Sequence, residues 1–169
     1  MKSMVALGPG GADVDIQIPE FAKDMVSMRL DGRLDEGVWA QVPGYDNMLV
    51  MDPDTLADTR FKTDARFFYT DEGLYIGVYM QQPRDTLIAR LSSRDEFINR
   101  DSIGITLDTS GEGLYGYWFV VNLGGSVMDG KVAAERQFSR EWDGPWSSGT
   151  AELEDGWSAE MFLPWSMMT

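Results

Sequence analysis

The segment 94–130 constrains the fold more than any other part of the chain, because several strand patterns and two acidic, glycine-containing turns lie within it. In residues 102–108, isoleucine and leucine alternate with glycine and threonine, the two-residue period of a strand with one buried face. Residues 114–122 are dense in aromatic and β-branched side chains, which suit a pleated surface. Leu123-Gly124-Gly125 then turns the chain into SVMDGKV. This segment predicts consecutive antiparallel strands.

Further strand patterns lie on both sides of this segment. They span residues 63–70, 74–81, 132–138, 150–153 and 157–163, with short turns such as Asp71-Glu72-Gly73 between neighbours. We count about eight or nine strands and almost no helical periodicity. Such a series predicts an all-β fold with little helix, an antiparallel β-sandwich.

Composition limits the chemistry that is open to this chain. With 169 residues it can bury roughly 70% of the surface that its unfolded chain would expose, which suffices for one domain. It contains no histidine and no cysteine. Triads that use histidine, ordinary zinc sites and thiol nucleophiles are therefore excluded, and most hydrolase classes become poor candidates, so we expect a protein that is not an enzyme.

Charge and the chain ends suggest how the protein is organised and which partners it has. The formal net charge of −14 repels phosphate backbones and anionic membranes, so we expect neither nucleic acid binding nor membrane insertion. Residues 1–15 contain a Gly-Pro-Gly-Gly stretch without periodicity and predict a flexible arm. Residues 16–169 then form a single β-sandwich domain. Because a sandwich normally closes with another strand, we expect the polypeptide to continue beyond Thr169.

Five motifs in order resemble the family 9 carbohydrate-binding modules. They are MRLDGRLDEGVW, ARFFYTDEGLYIGVY, RDEFINRDSIGITLDT, YGYWFVVNLGGSVMDG and DGWSAEMFLPW, and together they extend over residues 28–165. More narrowly, they resemble the N-terminal module of large bacterial envelope proteins. The resemblance implies a β-sandwich, often with bound calcium, in a periplasmic, outer-membrane-associated or extracellular location. It also implies that the partner is a carbohydrate or another envelope component, together with an adjacent C-terminal region.

The resemblance does not carry over the sugar contacts of that family. Where the family has a stacking tryptophan and a hydrogen-bonding acid, this chain has Ile98 and Gly104, and Val120 stands where the family has an arginine. None of the three can make the corresponding contact. The alternative to a glycan-binding module is therefore a structural or docking domain that kept the scaffold and lost the sugar site.

The candidate ligand-binding residues lie mainly in polar loops with aromatic side chains. Trp142 and Trp146 belong to WDGPWSSG, whose glycine and proline suit an exposed turn, although the two rings could instead plug one end of the sandwich. Arg94 and Asp95 could hold vicinal hydroxyls or could merely neutralise each other. Two strand residues complete the set, Trp118, for which core packing is the alternative, and Asn122.

Two acidic groups are candidate calcium ligands, because calcium binds six to eight oxygens from flexible loops. One group comprises Asp52, Asp54 and Asp58, and the other comprises Asp108 and Glu112. Neither has the full spacing of an EF-hand loop. A solvated acidic loop is the alternative for both.

Haem is a further alternative, since related sandwich domains of redox enzymes hold it through methionine with lysine or histidine. The chain has eleven methionines and no histidine. Met80, Met128 and Lys131 stand near predicted strand ends, but methionine is more often a core residue, so we do not expect haem.

Overall fold

The computed structural model describes residues 2–7, 13–50, 53, 55–96, 98–134 and 137–168, although not the side chains of residues 2–7 and 13–15. The regular structure of the described chain is β-strand, and its helical elements are short 3-10 turns, of which Trp39–Gln41 and Trp165–Met167 are two. The strands are β1 Lys2–Leu7, β2 Asp13–Ile18, β3 Gly44–Tyr45, β4 Thr63–Tyr69, β5 Gly73–Gln81, β6 Ser102–Leu107, β7 Gly116–Asn122, β8 Val127–Ala133, β9 Gln137–Ser139, β10 Ser147–Glu152 and β11 Gly156–Pro164.

Two antiparallel sheets form the sandwich. The five-stranded sheet has the order β10-β11-β5-β4-β3, and the four-stranded sheet has the order β6-β7-β8-β9. The alternation in residues 102–108 becomes β6, the aromatic stretch becomes β7, and the two are paired in register from Ser102–Asn122 to Leu107–Tyr117. The predicted all-β antiparallel sandwich with little helix is confirmed.

The main core lies between the inner faces of the two sheets. From β7, the side chains of Phe119 and Val121 are fully buried, and they belong to the same apolar cluster as Trp157, Met161 and Leu163 of β11. Each of these side chains contributes about 1.5–3 kcal/mol by leaving water. Because this contribution requires alternate residues of each strand to point inward, it also fixes the strand register.

A second, smaller core covers the outer face of the five-stranded sheet. Residues 21–42, here called the cover segment, lie on this face and bring Trp39 against Phe68, with ring centroids 5.0 Å apart. Phe68 is fully buried and also stacks on Tyr75 at 4.7 Å. The aromatic side chains of β4 therefore serve both faces, which is why this strand is not a simple alternation of apolar and polar residues.

The N-terminal region contains a strand pair that the sequence did not indicate. Strand β1 pairs with β2 in antiparallel register from Lys2–Ile18 to Leu7–Asp13. Ile16 and Ile18 of β2 are buried in the main core. That residues 1–15 form a flexible arm stays a prediction.

None of the helical turns in the described ranges has the length or apolar character that a bilayer span requires.

A glycine in β10 lets the cover segment pass close to the sheet edge. A Cβ atom on Gly149 would collide with the carbonyl of Leu30 and with the backbone nitrogen of Gly32. By contrast, a Cβ atom on Gly37, which also lies in the cover segment, would meet nothing within 4 Å. Position 149 therefore has no space for a side chain, whereas position 37 does.

We expect Gly149→Ala to lower the free energy of unfolding by about 1–3 kcal/mol, because the backbone of residues 30–32 must move to admit the methyl group. Gly37→Ala should change it by less than about 0.5 kcal/mol. Urea denaturation of the two variants, followed by tryptophan fluorescence, checks both values. Equal stability of the variants would contradict the close approach.

Candidate functional site

A buried carboxylate organises one edge of the sandwich. Asp129 lies in the middle of β8, opposite Phe119 on the inner face, and it is completely buried. A buried carboxylate requires donors. The backbone N–H of Gly144 donates to its Oδ2 at 2.6 Å, and Nη2 of Arg94 donates to its Oδ1. Asp129 therefore joins residues from two separate loops to the sheet.

Residues 92–95 lie along the start of β8. The N–H of Ser92 donates to Oγ of Ser126, and that of Asp95 donates to the carbonyl of Val127, at 3.0 and 3.2 Å. In return, the N–H of Asp129 donates to Oδ1 of Asp95 at 3.1 Å. Asp95 has a φ of 60°, a conformation that is uncommon for a residue other than glycine. The side chain of Asp95 thus holds its own loop against the strand.

Arg94 lies among three carboxylates. Its Nε donates to Oδ1 of Asp143 at 2.8 Å and lies 3.8 Å from Oδ2 of Asp95, and its Nη2 binds Asp129. Burial would lower the pKa of Arg94, but the charges and hydrogen bonds of Asp129 and Asp143 outweigh burial and raise it. We call Arg94, Asp95, Asp129 and Asp143 the Arg94 cluster.

Trp142 and Trp146 lie in the loop that contains Asp143, and both pack against the main core. The Trp142 ring lies 4.9 Å from that of Tyr117, and the Trp146 ring lies edge-on to Phe119 at 5.4 Å. Both tryptophans are partly exposed. The indole N–H of Trp146 is buried and has no hydrogen-bond partner in the described part of the chain. The loop therefore combines aromatic rings with charged groups at the sandwich edge.

The other two predicted ligand residues lie elsewhere. Trp118 is on the outer face of the four-stranded sheet, only 7% exposed, and it donates to the carbonyl of Ser139 at 3.1 Å beneath Phe138. Asn122 is completely buried, and its side chain closes the β7–β8 turn through two bonds to Ser126. The structure thus brings together Trp142, Trp146, Arg94 and Asp95, but not Trp118 or Asn122.

Asp129 was not among the candidate site residues that the sequence indicated. A signal for Asp129 was present, because the alternation of β8 places this acid on the same face as apolar neighbours. The pairing of Asp143 with Arg94 carried no sequence signal, since it depends on how the loop folds back toward Arg94.

The Arg94 cluster has the spacing of a cation site but not its electrostatics. Oxygens of Asp95, Asp129 and Asp143 lie within 4.8 Å of one another. However, Arg94 already binds Asp129 and Asp143, so a divalent cation would have to displace its guanidinium group. Calcium also prefers six to eight oxygen ligands. The residues present do not fit a calcium ion while Arg94 stays in place.

The predicted calcium groups are only partly described. Asp52 and Asp54 lie outside the described residues, and Asp58 is exposed and bridges to Leu49 through its backbone. Asp108 accepts bonds from Ser110, Gly111 and Gly113, and these bonds, led by the hydroxyl of Ser110, lower its pKa. Glu112 is exposed, with its N–H bonded to Ser110. Since donors already surround Asp108, it is a poor calcium ligand in this geometry.

The residues considered for haem face different sides of the sandwich. Met128 is opposite Val120 on the outer face of the four-stranded sheet. Lys131 lies over the ring of Tyr117 at 5.4 Å on the inner side of β8, and Met80 packs on the main core from β5. Met128 and Lys131 therefore cannot ligate one haem from opposite faces of their strand.

A cleft of about 550 Å³ opens at the end of the cover segment. Its lining includes Arg33, Glu36, Asp64 and Arg66, and beneath it lies the completely buried Glu160. The pKa of Glu160 is raised to about 7, mainly by burial and further by the neighbouring Glu36. None of these residues was a candidate site residue on sequence grounds.

Several solved structures have a similar fold. A family 9 carbohydrate-binding module from Caldicellulosiruptor kristjanssonii in complex with cellotriose matches with a TM-score of 0.60 and 16% identity, over 88% of this chain and 67% of that chain. A family 9 module from this organism in complex with glucose matches at 0.56 and 16%, over 86% and 68%. A Bacteroides uniformis protein for which carbohydrate binding has been suggested matches at 0.58 and 13%, over 75% and 61%.

No protein-family profile matches the chain, and no curated protein is significantly similar to it in sequence. The structural matches nevertheless agree with the five sequence motifs. The chain has the β-sandwich fold of the family 9 carbohydrate-binding modules.

Proposed function

We propose that this chain is a non-catalytic carbohydrate-binding module of an exported bacterial protein, with its ligand site at the Arg94 cluster and the adjacent tryptophans. The observation that carries the proposal is the position of Trp142 directly before Asp143, the exposed acid that binds Arg94. One side chain offers a partly exposed ring and the other two offer exposed charged groups. Structures of similar fold that hold cellotriose and glucose support the ligand class.

The chemistry of this site suits hydroxyl groups. Asp143 is 67% exposed and Arg94 is 39% exposed, so water or a ligand reaches both. A carboxylate accepts from sugar hydroxyls, while a guanidinium group donates to them. A tryptophan ring beside them adds an apolar surface on which the C–H face of a sugar can lie.

The carboxyl group with the most strongly raised pKa, that of Glu160, does not favour catalysis. A glycosidase needs two carboxyl groups that flank the scissile bond and contact it. Glu160 is completely buried, and its two oxygens accept from the Trp39 indole and the Gly32 N–H. It cannot reach a sugar without unfolding the cover segment, which supports a binding role rather than hydrolysis.

The sugar-binding proposal predicts that Asp143→Asn weakens binding while the fold stays intact. Isothermal titration against glucose, cellotriose and a set of xylo- and manno-oligosaccharides identifies a ligand of the wild-type protein. For that ligand, Asp143→Asn and Trp142→Ala should each weaken association by about tenfold or more, which corresponds to about 1.4 kcal/mol.

Two variants serve as matched controls for this titration. Asp46→Asn changes an exposed acid beyond β3, at the opposite edge of the five-stranded sheet, and Phe138→Ala removes an exposed ring on a different face. Both should bind like the wild type. If no sugar in the set changes the heat of titration or the tryptophan fluorescence of the wild type, carbohydrate binding is refuted. If Asp143→Asn binds with unchanged affinity, the proposed location of the site is refuted.

Asp129 is expected to act through structure rather than through ligand contact. Asp129→Ala leaves the N–H of Gly144 without its acceptor and removes a partner of Arg94, so we expect a loss of about 2–3 kcal/mol in the free energy of unfolding. Asp143→Asn, in an exposed pair, should lose less than about 1 kcal/mol. Chemical denaturation of both variants checks the difference, and equal losses would contradict it.

A docking role is the second candidate, and one observation favours it. Gly104 and Val120, which replace sugar-contacting residues in the resemblance to the family, are cross-strand partners on the outer face of the four-stranded sheet. This face offers neither a stacking ring nor a hydrogen-bonding side chain at those positions, yet Phe138 is 61% exposed on it. Such a surface suits contact with a protein partner or with an adjacent region of the same polypeptide.

A substitution at Phe138 distinguishes the two candidate functions experimentally. If the chain docks through this face, Phe138→Glu should abolish recovery of a specific partner from envelope extracts, whereas Asp143→Asn should not. The sugar titrations should show the reverse pattern. Recovery of the same proteins with both variants would contradict docking through this face.

A further inference from the structure

A buried acid also anchors the cover segment on the five-stranded sheet. The Trp39 indole N–H donates to Oε1 of Glu160 at 3.0 Å, and the N–H of Gly32 donates to Oε2 at 2.9 Å. The hydroxyl of Ser158, two residues earlier on the same face of β11, donates to the carbonyl of Gly32. These bonds connect two distant points of the cover segment to one strand.

Glu36 of the cover segment interacts with this anchor, through both its charge and a side-chain hydrogen bond to Glu160. Its Oε1 accepts from the N–H of Arg29 at 3.0 Å, while its Oε2 is buried and has no donor among the described residues. Ionised carboxylates only accept hydrogen bonds. Two adjacent ionised groups would therefore repel each other and leave Oε2 of Glu36 without a partner, whereas a single proton between them would remove both costs.

We propose that Glu36 and Glu160 share one proton and together form a pH-sensitive latch that holds the cover segment on the five-stranded sheet. The proton supplies the donor that the buried oxygen of Glu36 lacks. It also leaves the pair with one negative charge, which the Trp39 and Gly32 donors then stabilise. The latch does not depend on the proposed carbohydrate binding.

The charged groups that face this pair do not supply a compensating cation. From β4, Arg66 is committed to the Trp39 carbonyl at 2.6 Å and to Asp64 at 3.0 Å. Tyr79 of β5 faces Asp155, and its pKa is raised to about 12 by burial and then by that acid, so it stays neutral.

The cover segment and β10 do not change this balance. Arg33 and Asp35 line the same cleft with opposite charges, and both are exposed. Strand β10 places Gly149 directly opposite Glu160 and thus contributes no charge there. Glu36 is therefore the charged group that most affects the pKa of Glu160.

The direction of the pH effect follows from the pKa of Glu160. In the folded protein this pKa is raised from 4.5 to about 7, by burial first and by Glu36 second, against the opposing bonds from Trp39 and Gly32. An acid with a raised folded pKa contributes stability that is complete below pH 4.5 and is lost as the pH rises through 7. Above this range Glu160 is charged beside the acid Glu36, and we expect the cover segment to loosen over the cleft.

The experiment measures this loosening at the latch itself. Hydrogen exchange of the Gly32 amide and the Trp39 indole is followed by NMR from pH 5 to pH 8, in the wild type and in Glu36→Gln. A glutamine keeps an acceptor for Arg29 and adds an N–H donor for Glu160, so it should hold the latch without a proton. Relative to the variant, wild-type opening should increase by about tenfold or more over this range.

Two further measurements secure the interpretation. Asp35→Asn, which changes an exposed acid in the same segment, should keep the wild-type pH dependence. Carboxyl-carbon NMR of the wild-type chain, which needs no variant, should show a glutamate that titrates near pH 7. A wild-type chain whose glutamates all titrate near 4.5, or a Glu36→Gln variant that opens with the same pH dependence as the wild type, would overturn the proposal.

Discussion

Burial of apolar side chains between the two sheets is the constraint on which the rest of the structure depends. Phe119, Val121 and Leu163 are completely enclosed, and this requires β7 and β11 to present alternate residues inward in one register only. A shift by one residue would bring Trp118 and Glu160 into the core instead. The positions of both acidic clusters are therefore consequences of the way in which the core is packed.

Within this framework, two buried acids play the same structural part with different electrostatics. Asp129 on β8 and Glu160 on β11 are both inaccessible to water, and each accepts a backbone N–H from a segment that the sheet alone would not hold. Asp129 has the cation Arg94 as its neighbour, which offsets its charge. Glu160 has another acid, Glu36, as its neighbour, so its charge depends on pH. The Asp129 anchor thus includes its own counter-ion, whereas the strength of the Glu160 anchor depends on pH.

Much of the sandwich could be predicted from the sequence, because β4 to β8, β10 and β11 carry regular alternation or dense β-branched and aromatic residues between turn signals. The course of the cover segment across the outer face of the five-stranded sheet could not be predicted. It has no periodicity, and its role depends on Trp39 meeting Phe68 across long sequence separation. The candidate site could be predicted only in part, for the same reason. The residue types of Trp142 and Arg94 indicated binding, whereas their proximity depends on Asp129, whose partners lie 15 and 35 residues away.

The charge of the Arg94 cluster also bears on the class of glycan that the proposed site would accept. One guanidinium group faces three carboxylates, and two of its donors are already used by Asp129 and Asp143. The site as a whole is therefore anionic, on a chain whose net charge is −14. An acidic or sulfated sugar would meet unfavourable electrostatics there, since Arg94 has little capacity left to offset a further negative charge. A neutral sugar avoids this repulsion and can donate hydroxyl groups to the exposed oxygens of Asp143. If the module binds a glycan at this edge, electrostatics thus favours a neutral one.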